Sequence, residues 1–588
     1  MTEFRVWAPF AKRVRLVIGD DEYDLVENDG WWTREVEEAG PGTDYWYLLD
    51  DNDELRLPDP RSLWQPAGVH GPSRVYDHAA FTWTDRAWAD RSFADRTWTG
   101  RPLPGAVIYE LHIGTFTIEG TFDAAIERLD HLANLGVDLV ELLPVAAFNG
   151  EHGWGYDGVA WFAPHEPYGG PDGLKRFVDA AHARGLGVVL DVVYNHFGPS
   201  GAYAPMFGPY LATGQTDWGQ SINLDGPLSD EVRQYIVDNA LAWLRDYHVD
   251  ALRLDAVHAL IDRHAVHLLE LLAVEVDTLS TQLGRPLTLI AESDRNDPRH
   301  VTPREAGGYG LHAQWDDDFH HAVHALLTGE RQGYYVDFGS PECLAAVLTG
   351  AFWHAGTYSA FRQRTWGRPV DRHRVPGHRF VAFLQNHDQI GNRATGDRLV
   401  GSLSPGRLRI AAVLLFTAPF TPMLFMGEEW GATTPWQYFT SHPEPDLADA
   451  VVSGRRREFA AHGWPAHDVP NPQDEATFVR SKLDWSELEN PIHQRFFQLY
   501  RSLIALRKAT PDLADPRLDR VTVDDDHGVF TIQRGDHHVI INLTGEERLV
   551  PPRRSAPELV FATEPEVRLA PDGLILPPET AGIVRFVP

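Results

Sequence analysis

The chain has 588 residues, 43% hydrophobic and 23% charged, too long for one core, so about three domains are expected, one of them able to hold a barrel of about 250 residues or more. Its formal net charge of −32 repels phosphate backbones and anionic lipid surfaces, which argues against nucleic acid and membrane partners and favours a neutral ligand. A single cysteine, Cys343, leaves no internal disulfide framework and suits a reducing compartment.

The N-terminus enters a folded pattern with no basic-then-apolar leader, and no uncharged apolar run of about 18 residues follows; the expectation is a soluble, cytoplasmic protein. From Phe4 short alternating runs are broken by Gly, Asp, Asn and Pro turns, the pattern of a β-sandwich over residues 1–90. That sandwich resembles a carbohydrate-binding module, although Trp31, Trp32 and Trp46 suit packing against a neighbouring domain as well as they suit a glycan. The Trp- and Asp-rich stretch 81–101 reads as a linker.

From Val107 the period changes. Strands are predicted at 107–112, 137–144, 187–193, 251–257, 287–293, 310–315, 379–384 and 421–426. Helices are predicted at 121–135, 174–183, 230–247, 264–283, 319–327, 407–416 and 496–506. Eight strands with intervening helices make an α/β fold, a (β/α)8 TIM barrel over 91–517. The long segments 149–173, 197–228, 294–308 and 430–485 all follow strands and should wall a cleft on one face. Residues 518–588 return to short strands and form a C-terminal antiparallel β-sandwich.

Four barrel segments end in polar clusters: Asp191-Val-Val-Tyr-Asn-His196, Arg253-Leu-Asp255-Ala-Val-His258, Ile290-Ala-Glu292-Ser and Leu384-Gln-Asn-His387-Asp388. One such cluster would more often be a capped helix start or a satisfied core histidine. Four in order, with Asp255, Glu292, Asp388 and an arginine among them, are the way a parallel barrel presents chemistry at its C-terminal rim. With no cysteine cluster, no Gly-rich phosphate loop and no close histidine pair spaced as a metal site, the rim points to carboxylate chemistry, and cleavage of a glycosidic bond needs one protonated and one ionised acid. Arg253 and Asp255, two apart on a strand, point to the same side, so the guanidinium can hold Asp255 ionised as a nucleophile. Glu292, at the end of an apolar strand and near other negative charge, is the better proton donor, which leaves Asp388 to bind the hydroxyls of the distorted sugar.

These four segments resemble those of the α-amylase family of glycoside hydrolases, in the same order across the barrel. The resemblance implies a nucleophile at Asp255, an acid/base at Glu292 and a transition-state stabiliser at Asp388. It also implies that Arg253, His196 and His387 surround the cleaved sugar and that Tyr156, in Trp154-Gly-Tyr-Asp, forms the aromatic platform beneath it. Asp191 matches a structural position. Asn195 matches a calcium ligand of many amylases, yet no full set of oxygen ligands accompanies it, so no metal and no cofactor is expected.

A finer resemblance, nearly end to end, is to the trehalose-releasing branch of that family. It is carried by Phe4-Arg-Val-Trp-Ala-Pro, Tyr109-Glu-Leu-His-Ile-Gly-Thr-Phe, Trp154-Gly-Tyr-Asp-Gly, Tyr168-Gly-Gly-Pro-Asp-Gly and Ala291-Glu-Ser-Asp-Arg-Asn-Asp-Pro. It implies hydrolysis, with retention, of the α-1,4 bond beside the terminal trehalose of maltooligosyltrehalose, with maltooligosyltrehalose and trehalose as ligands and functional pairing with a maltooligosyltrehalose synthase. Retention would set the Asp255 and Glu292 carboxyls about 5–5.5 Å apart. The trehalose end would lie among loops after the fourth to sixth strands, with His258, Asp294, Arg295, Trp315 and Asp316 as candidates. Glycogen branching enzyme is the alternative within the family, set apart by Glu292-Ser-Asp-Arg-Asn-Asp-Pro and Gln314-Trp-Asp-Asp-Asp-Phe-His-His321. A non-catalytic glucan-binding protein is the alternative of another class, and the presence of all three acids opposes it.

Overall fold

The computed structural model of the chain describes residues 1–85, 98–216, 218–461, 469–554 and 556–586. Residues 86–97, most of the expected linker, and with them the expected 90/91 boundary, lie outside the described residues.

At the centre is a closed barrel of eight parallel strands: β1 (Ile108–Leu111), β2 (Leu139–Leu142), β3 (Gly187–Val192), β4 (Ala251–Leu254), β5 (Thr288–Ala291), β6 (Ala313–Trp315), β7 (Phe380–Phe383) and β8 (Thr421–Phe425). These are the eight predicted strands, each trimmed at its ends. Alternation along each strand separates two apolar layers. Ile108, Leu139, Val189, Ala251, Ile290, Ala313 and Val381 fill the interior, while Tyr109, Val140, Leu190, Leu252 and Leu289 face the helices. Two residues further along the same inward rows stand Glu110, Glu141, Asp191 and Arg253, all buried. The barrel is therefore apolar at its base and charged at its C-terminal end.

Helix boundaries follow local capping. The helix predicted over 264–283 starts at Leu268 because His267 caps it, Nδ1 accepting from the Leu269 N–H at 3.1 Å. The one predicted over 121–135 is two, Phe122–Ile126 and Leu129–Leu135, the second stopped by Gly136 at φ 99°. Helices Pro341–Gly350 and Pro445–Ala461, and the hairpins Leu211–Thr216/Gly219–Ile222 and Thr357–Ser359/Arg364–Trp366, had not been predicted.

The N-terminal strands form a three-stranded and a four-stranded sheet that enclose Phe4, Val14, Leu16, Trp32 and Tyr47. Trp32 is buried, and Trp31 lies under the guanidinium of Arg5 at 3.9 Å and near that of Arg61 at 5.4 Å. Arg61 reaches Asp238 of the barrel layer at 2.7 Å, and Tyr235 donates to the Pro60 carbonyl at 2.7 Å.

The C-terminal strands form a five-stranded and a three-stranded sheet. They join the barrel where Arg534 donates to the Thr417 carbonyl at the end of helix Pro405–Thr417, beside Arg507 of helix Pro491–Ala509, which donates to the carbonyls of Phe416 and Ala418. Cations suit a helix C-terminus.

Candidate active site

β4 sets the centre of the site. Arg253 is inaccessible to solvent, and its Nη1 lies 2.7 Å from Asp191 Oδ2 and 2.8 Å from Asp255 Oδ1, while Nη2 lies 3.7 Å from Glu292 Oε2. One guanidinium thus spans three carboxylates, with the Trp315 ring packed on it at 4.3 Å. Just past Asp255, Ala256 turns into left-handed backbone at φ 40°, a strained conformation for a residue with a Cβ. The turn aims the Ala256 N–H at Glu292 Oε2, 2.7 Å away. Asn195 donates to Asp255 Oδ2 at 3.3 Å, and its own Oδ1 faces His196 Nδ1 at 2.9 Å.

Glu292 sits where charge is costly. Burial lifts its carboxyl well above the ordinary range; Arg253 opposes that, and the negative neighbours Asp255, Asp317 and Asp388 add to it. Burial and the crowded negative charge therefore favour its protonated form. Asp191, though buried, is drawn back by Arg253 and rises only to about 6.

Asp388 is presented by a short helix, His387–Gly391, whose capping box is complete: Asn386 Oδ1 accepts from the N–H groups of Asp388 and Gln389, and Gln389 Oε1 accepts from Asn386 N–H. Its carboxylate is half exposed and takes a hydrogen bond from Asn392 Nδ2 at 3.2 Å. Arg455 on helix Pro445–Ala461 in turn holds Asn392 Oδ1 at 3.1 Å. His387 is buried between Glu110 at 2.6 Å and the Tyr156 hydroxyl at 2.7 Å, and stacks on the Tyr156 ring. Burial works against its charge, but Asp388 and Glu110 outweigh burial and lift it to about 9.

Asp255, Glu292 and Asp388 open on one cavity of about 580 Å³, with Tyr156, His196 and His387 also on its wall. A glucose ring fits in that space, and the polar groups converge on it. His258, Asp294 and Trp315, three of the five candidates for the far end, line it too.

The other two do not. Asp316 is wholly buried at the start of helix Asp317–Thr328, because strand alternation carried past β6 turns Trp315 and Asp317 to the cavity and Asp316 away from it. Arg295 is exposed and gives Nη2 to the His258 carbonyl at 2.8 Å, supporting the loop from outside. Sequence reasoning missed Asp317, one register step from its candidate, and Trp218 and Phe361, aromatics at the ends of the two unforeseen hairpins. Their signal was an aromatic in a polar segment. For Arg455 there was none.

Barrel, acid cluster and loop arrangement define a glycoside hydrolase of the α-amylase class. The α-amylase catalytic-domain model matches residues 88–218, and a domain of unknown function, DUF3459, matches residues 516–583. Malto-oligosyltrehalose trehalohydrolases of Rhizobium sp. (strain M-11) and Arthrobacter ramosus are 55% and 56% identical, covering 99% of this chain and 97% and 99% of their own. A 1,4-alpha-glucan branching enzyme of Geobacillus stearothermophilus is 30% identical over 74% of this chain and 68% of its own. A crystal structure of an α-amylase candidate from Salmonella typhimurium superposes with a TM-score of 0.89 at 38% identity, covering 99% of this chain and 97% of that one. The chain belongs to the malto-oligosyltrehalose trehalohydrolase family.

Proposed function

We propose that the protein hydrolyses the α-1,4-glucosidic bond beside the terminal trehalose unit of maltooligosyltrehalose, with retention. Asp255 attacks the anomeric carbon while Glu292 gives its proton to the glycosidic oxygen, and trehalose leaves. Glu292, now ionised, takes a proton from water, which attacks the same carbon, frees Asp255 and releases the maltooligosaccharide. Asp388 binds hydroxyls of the distorted ring; Tyr156, His196 and His387 surround it, and Arg253, buried behind the cavity wall, acts through Asp255. His258, Asp294 and Trp315 lie toward the trehalose.

The observation that carries this reading is the position of Arg253. Its guanidinium pairs with Asp255 at 2.8 Å and stands 3.7 Å from Glu292, whose carboxyl burial and crowding push well above the usual range. Identity of 55% and 56% to trehalohydrolases, against 30% to a branching enzyme, supports hydrolysis over chain transfer. No helix among the described residues is long and apolar enough to cross a membrane; we place the activity in the cytoplasm, working after a synthase that makes the terminal trehalose linkage.

The test is product analysis with maltooligosyltrehalose and with a maltooligosaccharide of equal length. Free trehalose from the first, far slower cleavage of the second and an α-configured new reducing end by NMR are expected. New α-1,6 branches, or equal cleavage of both, would overturn the assignment.

A further inference from the structure

Among the acids of the barrel mouth, two adjacent glutamates do not line the substrate cavity and have no part in the steps above. Glu110 on β1 and Glu141 on β2 are direct neighbours in the parallel register, and both are buried. Their surroundings differ. Glu110 Oε1 lies 2.6 Å from His387 Nδ1, and Oε2 accepts the His387 backbone N–H at 3.1 Å. Both Glu141 oxygens are buried with no hydrogen-bond partner.

The hydrogen-bond pattern around the ring bears on its protons. The Tyr156 hydroxyl has one hydrogen, and it goes to Asp191 Oδ2 at 2.7 Å. In that arrangement the 2.7 Å contact between the Tyr156 oxygen and His387 Nε2 is filled by a hydrogen on the imidazole. Asp388 Oδ2, 3.6 Å from the same nitrogen, is also an acceptor. Nδ1 faces a carboxylate. With the Tyr156 hydrogen on Asp191, both ring nitrogens face acceptors and both carry hydrogen; with that hydrogen on Nε2 the ring would be neutral, and the titration below separates the two.

We propose that Glu110 is a positioning residue that holds His387 as a two-proton cation beneath the cleaved sugar, while Glu141 beside it stays protonated and does not compete for that cation. The proposal rests on the reading of the site given above, but its protonation claim needs no substrate. The groups that face His387 are consistent with it. Glu110 from β1 and Asp388 on its own helix favour the cation, and Arg253 from β4 opposes it. Tyr156 from the loop after β2 accepts from it, Glu141 from β2 lies within its field, and so does His112 past β1, which burial keeps neutral with a value of about 3. Burial, and then the charges of Glu110 and Asp191, drive the Glu141 carboxyl well above the usual range. The cation offsets the acids crowded at the mouth and keeps one N–H at the edge shared by Tyr156 and Asp388. This ties the first strand of the barrel to the ring-binding wall formed after the seventh.

The experiment uses the full-length protein with 15N-labelled histidine, following the His387 ring nitrogens by NMR from pH 5 to 10. In the unaltered protein both carry hydrogen at pH 7.5. In Glu110→Gln, which keeps shape but loses charge, the resonance titrates near or below the ordinary histidine value of about 6.5; in Glu141→Gln it does not move. On maltooligosyltrehalose, the ratio of unaltered to Glu110→Gln kcat/KM rises at least about tenfold from pH 5.5 to pH 8, one decade per unit once the cation is lost. A purely structural defect would lower activity equally at every pH. A neutral His387 at pH 7.5 in the unaltered protein would overturn the proposal, even if Glu110→Gln does not fold. So would a ratio flat in pH, or a Glu141→Gln shift as large as that of Glu110→Gln. If the titrations are as expected and trehalose is not released, the substrate assignment fails and the positioning role stands.

Discussion

The barrel carries an ionic cluster at each end, built from the same residue types and opposite in behaviour. At the N-terminal end Asp250, just ahead of β4, has every lone pair engaged. Oδ1 accepts from Arg285 and Trp98, each at 2.7 Å, and Oδ2 from the Val188 N–H and His182, each at 2.9 Å. His182 holds Asp85 with its other nitrogen at 2.9 Å, and Asp85 also meets His248 at 2.8 Å. Trp98 stacks on His182 and Trp83 on His248. Here burial alone would raise Asp250, but His182 and Arg285 outweigh it and hold the carboxyl below its usual range. At the C-terminal end Arg253 and His387 face Glu110, Glu141, Asp191, Asp255, Glu292 and Asp388. Acids are in excess, and burial with the surplus negative charge drives the carboxyls of Glu292 and Glu141 well above the usual range. A balanced cluster makes a joint; an unbalanced one makes a proton donor.

Glu292→Gln attacks that imbalance and should have the largest effect. Hydrolysis should fall about 10²–10⁴-fold, the scale of a lost general acid, in steady-state rates on maltooligosyltrehalose. The melting temperature at pH 8 should not fall and should rise, since a buried group that resists ionisation has been replaced by a neutral one. Equal losses of activity and stability would show that Glu292 is a structural acid like Asp250. Asp250→Asn should do the reverse. Removing one partner from the buried cluster leaves Arg285 and His182 uncompensated and should cost about 3–5 kcal/mol of unfolding free energy in a denaturant titration. The chemistry of the rim would change little in the protein that remains folded.

The pH dependence of stability should separate the two ends as well. A lowered carboxyl such as Asp250 gives stability that is complete above its unfolded value of about 3.9 and is lost as pH falls toward its folded value. The raised carboxyls at the mouth act with the opposite sign: they lose stability as pH climbs from about 4 toward their folded values, about 6 for Asp191. His387, raised to about 9, contributes fully below its unfolded value of about 6.5 and loses its contribution as pH rises through 9. Thermal scans should show Glu292→Gln gaining on the unaltered protein as pH rises, and Asp250→Asn losing least at low pH.

The same contrast explains what could be read in the sequence. Barrel strands buried on both faces announce themselves as apolar runs, and all eight were legible, as was the convergence of Asp255, Glu292 and Asp388, which follows from their place at strand ends. Proton distribution was not legible. Glu110 and Glu141 look alike inside two apolar strands, and only the barrel's closure brings one to His387 and leaves the other bare. Trp218 and Phe361 depend on hairpins whose segments carry no alternating apolar pattern, and Arg455 reaches the cavity from a helix inserted after β8.

Where the sequence reading slipped by one residue, at the end of β6, the smallest expected effect decides between neighbours. Asp316 is sealed in the helix start, while Asp317 faces the cavity and adds its charge to those that keep Glu292 protonated. Asp317→Asn should therefore lower the alkaline limb of kcat/KM by about one pH unit or less, the reach of a single partly screened charge. Burial raises Asp317 to about 6, with His321 pulling down and Asp294 and Asp388 pushing up. Below that pH its carboxyl is itself neutral, so the variant and the unaltered protein should converge there and part only above it. Asp316→Asn removes a carboxyl whose charge burial already opposes, and the limb should stay where it is. A shift in that variant, and none in Asp317→Asn, would mean that the alternation of β6 does not run on into the helix start.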